Sequence, residues 1–421
     1  MCYRRMDYRV VLLVIFWGQL FHLPVRAEVL SVTVPFMGPG GDYVTAADRY
    51  HTYRIPGMIV AADGSIAAFA EGRRGDGSDP RRDENAPIDI VMRRSADNGQ
   101  SWQPQMVVEK GFRSNGDLVD FGDPTPVLDD ETKTIFLFFG QWPDIGPRVA
   151  EYGQSTAPAD GNQTLWFRSS TDNGETWSER QQVIYADSPD KTSDGLYWRY
   201  LEPGPGNGIQ LRWQDTSSRI GRLIIPVRRA GSKTPDGPVT IDALILYSDD
   251  HGKTWQLGNP TPGPEADEAE VIELTDGRIL LDSRQGDGPF RCRHLSTDGG
   301  LNWGANDPSP IPLTQVDASL ARFSAQRSGH DRDRILFSAP SGIDGLNRKR
   351  ICVWTSYDEG KTFDDPVQFN RQFAAYSVVQ RLADGTIGLL VETGGDADDE
   401  YGAITFYRFD LSELESQAQT P

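Results

Sequence analysis

The feature that most constrains this chain is a short motif that returns five times. The pattern Ser-x-Asp-x-Gly-x-(Thr/Ser/Asn)-(Trp/Phe) starts at Ser95, Ser170, Ser248, Ser296 and Ser356, and ends at Trp102, Trp177, Trp255, Trp303 and Phe363. Successive copies begin 75, 78, 48 and 60 residues apart, so the repeating unit is a module with variable insertions. Alternating strands flank the copies, as at residues 90–94 and 243–247. Asp-x-Gly between two strands is hairpin chemistry: the Gly supplies a positive φ and the Asp carboxylate accepts backbone N–H groups within the turn. The motifs therefore build the fold, and each terminal aromatic is expected to staple its own turn.

Other strands end at Asp276-Gly277 and Asp384-Gly385, and helix is expected only as a turn over 411–416. All-β modules of this size cannot each bury both sheet faces, which predicts radial packing as a six-bladed β-propeller of Asp-box hairpins over 28–421. Closure is expected from pairing a strand near 29–34 with one near 403–409, which removes the exposed edges. A hydrophobic content of 38% with 43 Gly and 28 Pro suits a turn-rich β protein that still has a core.

Arg4, Arg5 and Arg9 precede an apolar run over 10–21, and Val25-Arg26-Ala27 resembles a cleavage site. Residues 1–27 thus read as a signal peptide, and the product is expected to be secreted or periplasmic. The run is shorter than the ~20 residues that span a bilayer, so no stable membrane span is expected. A net charge of −19 argues against a nucleic-acid surface, which needs clustered Lys and Arg. Cys292 and Cys352 each lie four residues before a motif Ser, at equivalent positions of neighbouring modules. A disulfide needs Cα atoms within about 7 Å, so two free thiols are expected. The five His show no zinc-like spacing, and no metal or other cofactor is expected.

Several segments are more specific than the repeats: Tyr53-Arg54-Ile55-Pro56, Glu71-Gly72-Arg73, the run 268–274 beginning Glu268-Ala269-Glu270, Ala375-Tyr376-Ser377, and the run 388–392 ending in Glu392. With these in order, the chain resembles the exo-α-sialidase (neuraminidase) family over essentially all of 28–421. The resemblance implies a retaining glycoside hydrolase that removes terminal sialic acid from glycoproteins, glycolipids or oligosaccharides.

A sialoside carries a carboxylate on its anomeric carbon, and planar guanidinium groups bind such an anion through charge-assisted bonds. The resemblance assigns this to Arg54, Arg284 and Arg348, with Arg291 and Arg350 as competitors for the last two. Sialidases use a Tyr nucleophile where other glycosidases use a carboxylate. A neutral phenol avoids repulsion by the substrate's own carboxylate. Tyr376 matches that nucleophile and Glu268 its base; Glu270 stays open, because alternate residues of a strand share a face.

The resemblance places the general acid on the segment 81–86, where Asp83 is the match; Asp79, elsewhere in the acidic loop 75–89, is the runner-up. Arg73 and Asp123 resemble contacts to the sugar's 4-hydroxyl, with Arg74 an alternative to Arg73, and Glu392 resembles the carboxylate that orients Arg54. The loop 204–210 matches one that lines the pocket, and an aromatic within 138–142 either contacts the N-acetyl group or fills the core. Val391 departs from the Tyr common before this Glu. Two other readings remain: a hydrolase or trans-glycosidase for a related nonulosonic or ulosonic acid, and a catalytically silent propeller that binds sialic acid.

Overall fold

The same local bonds close each Ser-x-Asp-x-Gly turn in the computed structural model, which describes residues 28–38, 50–75, 77–80, 86–114, 117–143, 164–183, 197–234, 239–263, 266–285, 288–313, 315–341, 348–394 and 401–415. In the first copy Ser95 Oγ donates to Asp97 Oδ1 at 2.8 Å and accepts the Gly99 N–H at 2.8 Å, while Asp97 Oδ1 also accepts the Ser101 N–H at 2.9 Å. The later copies repeat this set, as at Ser248, Asp250 and Gly252. Four polar groups that strand pairing cannot serve are thereby satisfied within a few residues of chain.

These turns connect strands that assemble into six antiparallel sheets, the blades of a propeller. The inner strands of the blades include, in chain order, Thr52–Val60, Asp117–Asp129, Tyr197–Pro203, Ala266–Glu273, Ser319–Ser324 and Ala374–Arg381. Ser31–Met37 pairs antiparallel with Ala403–Phe409 and closes the ring as expected. Closure thus leaves the first and last strands as each other's neighbours. Residues 1–27 lie outside the described residues. Among the described residues no helix is long and apolar enough to cross a membrane.

Three of the five motif aromatics depart from the expected staple, while Phe363 meets Phe337 of its own blade at 5.9 Å. Trp102 meets Phe406 of the sixth blade edge-on at 5.4 Å, Trp177 meets Phe69 of the first at 5.8 Å, and Trp255 meets Phe138 of the second at 4.7 Å. Each of these three partners belongs to the preceding blade, because the seam between twisted sheets offers a ring more apolar surface than a tight turn does. The turn itself is pressed against that seam: a Cβ on Gly99 would stand 2.0 Å from the Phe406 ring, and one on Gly252 2.2 Å from Phe136. Gly is required there for close approach as well as for its φ of +80°. Cys292 and Cys352 are both free and buried, and burial pushes the Cys352 thiol up to about 12.

Ile59, Leu128, Gln210, Ile272, Leu320 and Val379, one from each blade, line an axial cavity of about 380 Å³. Of these, Ile59, Leu128, Ile272 and Val379 lie toward the C-terminal ends of their inner strands. The opposite end of the axis is where those strands begin, where antiparallel second strands finish, and where the third strand of the fifth blade starts. That end gathers the residues singled out by sequence.

Candidate active site

Four inner strands carry one extra residue at this end. Their pairing slips between Arg54 and Gly57, Gly122 and Thr125, Ala266 and Ala269, and Ala374 and Ser377. A β-bulge of this kind bends the strand and re-aims its side chains. Asp123, Glu268 and Tyr376 lie inside their bulges, and Arg54 stands at the edge of its own. Ile55 and Asp123 have φ of 55° and 54°, a region costly for non-Gly residues and above all for a β-branched one.

Carboxylates from neighbouring strands hold these bulges. Glu392, fully buried, accepts the Arg54 Nε–H at 2.7 Å, the Ile55 N–H at 2.7 Å and the Tyr376 N–H at 3.1 Å, tying the first blade to the sixth. Glu71 does the same between the first and second blades, accepting from Arg73 Nε at 2.9 Å and from the Asp123 N–H at 3.0 Å. Sequence reasoning named Glu71 only as part of a motif. Its role shows in the fold because its partner amide is 52 residues away.

At the centre the Tyr376 hydroxyl donates to Glu268 Oε1. Arg284 Nη1 reaches Glu268 Oε2 at 2.8 Å and the Tyr376 oxygen at 3.0 Å. Arg54 and Arg348 flank the phenol, their guanidinium carbons 5.4 and 5.3 Å from its ring centre. Tyr401, which sequence reasoning missed, bridges that pair: its ring lies 4.0 Å from the Arg54 guanidinium and its hydroxyl accepts from Arg348 at 2.7 Å.

Burial would raise the Glu268 carboxyl, but Arg284 and Arg228 override it and hold the group down at about 2. Burial and the Glu268 anion push the Tyr376 phenol well above its ordinary range against the opposing arginines. The pair therefore rests as a neutral phenol against an ionised carboxylate, the protonation state a base-assisted nucleophile starts from.

The competing residues occupy other surroundings. Glu270 faces Asp317 and Arg291 deeper along the axis, where burial and the Asp317 charge push its carboxyl well up. Arg291, with none of its surface exposed, donates to Asp282 and to the Val316 carbonyl at 2.7 Å, away from the phenol. Arg350 itself takes a left-handed backbone conformation, with a φ of 62°, and its N–H is bonded to the Gln372 carbonyl at 3.0 Å. Arg73 pairs with Glu71 and, at 2.8 Å, with Asp79, whereas Arg74 turns to Asp89 and Tyr50. Asp79 also lies 3.6 Å from Arg54. Asp83 lies outside the described residues.

Arg228, absent from the sequence reading, joins Asp123 at 3.3 Å and Glu202 at 2.6 Å. Burial and the carboxylates Glu202, Glu71 and Glu268 push Asp123 well up despite that partner. The loop 204–210 runs beside Glu270, and its Asn207–Gln210 portion lines the axial cavity. Phe138 is a core ring against Trp255, while Trp142 is buried beside Gly122. Val391 is buried in the apolar core of the fifth and sixth blades, so the departure there changes packing.

Residues 64–389 match the family described as BNR repeat-like domain. The chain is 33% identical over 356 residues to the sialidase of Micromonospora viridifaciens, covering 83% of this chain and 51% of that protein, about half its length. Identity to Sialidase-2 of Rattus norvegicus is 30% over 386 residues, covering 86% of this chain and 93% of the relative. The solved structure of Hadza microbial sialidase Hz136 superposes with a TM-score of 0.72 at 26% identity, covering 87% of this chain and 67% of that one.

Proposed function

Because this chain belongs to the sialidase family of BNR-repeat propellers, we propose that it is a retaining exo-α-sialidase that releases terminal sialic acid from glycoconjugates through a tyrosyl intermediate. The observation that carries this reading is the Tyr376 hydroxyl on Glu268, with Arg284 on both and Arg54 and Arg348 on either side of the ring. Three guanidinium groups around one phenol suit an anionic sugar that must bring its carboxylate close to the nucleophile.

As the Tyr376 oxygen bonds to the anomeric carbon, its proton passes to Glu268, and the glycosidic oxygen leaves with a proton from the general acid. Water then attacks the same carbon, giving its proton to the acid's conjugate base, while Glu268 returns its proton to the departing phenolate. Two displacements retain the anomeric configuration. Arg73 and Asp123 are assigned to contact a hydroxyl of the ring. The test is turnover of a fluorogenic sialoside by the full chain, with related nonulosonic acid glycosides as competitors. Binding without turnover would favour a lectin.

The acid is assigned to Asp83. Asp79, the alternative, is engaged by Arg73 and Arg54 in contacts that favour a charged carboxylate. Asp83→Ala is expected to cost natural glycans roughly 100-fold or more and phenolic sialosides far less, since only a poor leaving group needs the proton. Equal losses on both substrates would move the role elsewhere. The same proposal places the protein outside the cytoplasm. N-terminal sequencing of exported material should begin at or near Glu28, and an intact Met1 would contradict export by cleavage.

A further inference from the structure

Arg228 lies on Leu223–Ser232, the strand next to the inner strand of the third blade, with 12% of its side chain exposed. Its Nε is 2.6 Å from Glu202 Oε1, Nη1 is 2.6 Å from Asp267 Oδ1 and 3.6 Å from Glu268 Oε1, and Nη2 is 3.3 Å from Asp123 Oδ2. One planar group thus meets four carboxyls from the second, third and fourth blades. A fork of fixed N–H directions can do this, whereas a single ammonium cannot. Without that cation the four would repel one another in a site that excludes most water.

We propose that Arg228 is a positioning residue for the Glu268–Tyr376 pair: by linking Glu268 to Asp267, Asp123 and Glu202, it keeps the base aimed at the phenol and available as an anion. This rests on the reading of Tyr376 and Glu268 as nucleophile and base. The groups around Glu268 set the sign of the effect. Arg284 of its own blade and Arg228 of the third favour the anion, and so does the hydrogen bond from Tyr376 of the sixth. Asp123 of the second blade and Asp317, just ahead of the fifth, face it with their own carboxyls pushed up in part by its charge, and Asp267 on the same strand is held by Arg228 at 2.6 Å. Two cations thus outweigh the effect of burial. Removing one lets Glu268 take up a proton at higher pH, so the acidic limb of the rate profile should rise.

The test compares kcat and KM across pH for the full chain, Arg228→Gln and Arg228→Lys on a fluorogenic sialoside, with thermal melts to establish folding. Arg228→Gln is expected to lose about 10-fold or more in kcat with KM changed by less than about threefold, and to move the acidic limb of kcat up by about one unit or more. Arg228→Lys should move it the same way by less, because the charge is kept but the four-way geometry is lost. An acidic limb that stays in place, in Arg228→Gln or, should that variant not fold, in Arg228→Lys, overturns the assignment and leaves Arg228 a merely structural ion. Absence of turnover in the parent chain removes the sialidase reading and this assignment with it. An active parent with an unmoved limb removes only the role of Arg228.

Discussion

Tyr376→Phe is expected to fold like the parent and to lose roughly three decades in kcat, about 4 kcal/mol of barrier. The ring is buried beside Ile55, Val316 and Ala375 in a small apolar cluster, and Phe preserves that packing. What it removes is the oxygen that Glu268 and Arg284 hold. A sialosyl analogue with fluorine beside the anomeric carbon and a good leaving group should label the parent slowly and durably, because fluorine destabilises the oxocarbenium-like transition states of both steps. Peptide mass spectrometry should find the label on the segment containing Tyr376, and Tyr376→Phe should take up none. A label on Glu268, Glu270 or the 81–86 segment would mean a carboxylate nucleophile.

Arg284→Ala is the second large effect, a loss of about 3 kcal/mol of transition-state binding or roughly two decades in kcat/KM. In the proposed mechanism Arg284 has two functions: it binds the substrate carboxylate, and it favours the ionised form of Glu268, which it meets at 2.8 Å. Its loss should lower kcat as well as raise KM. Arg348→Ala should show the same order of loss, expressed mainly in KM, since Arg348 flanks the ring without touching Glu268 in the described contacts. Arg350→Ala should be much milder. A larger cost at Arg350 than at Arg348 would mean that the fifth blade presents a different arginine to the substrate.

The fold was legible because its main signal is local. Each Ser-x-Asp-x-Gly turn satisfies its polar groups within a few residues, so the pattern can be read without knowing what surrounds it. The aromatic that ends each motif is visible too, but its partner is not: Trp102 rests on Phe406, and nothing near Trp102 in the chain announces that ring. Seam contacts depend on which blades become neighbours, a property of the closed ring.

The same division runs through the site. Arg54, Glu268 and Tyr376 stand in segments distinctive enough to recognise, yet the choice between Glu268 and Glu270 could not follow from alternation, which puts both on one face. The extra residue between Ala266 and Ala269, together with a phenol arriving from 108 residues away, gives the first the Tyr376 hydroxyl and leaves the second facing Asp317. Arg291 competes with the favoured Arg284 by sequence, and the fold sets Arg284 against the phenol and buries Arg291 behind it with Asp282. Arg228 carried no motif at all. Its importance comes from four carboxyls that converge only when three blades pack around one axis. Sequence alone determined the residues whose partners lie close along the chain and the modules that repeat. Tertiary structure decided which charges meet, because the strength and sign of a buried charge depend on the distance to neighbours that chain order does not encode.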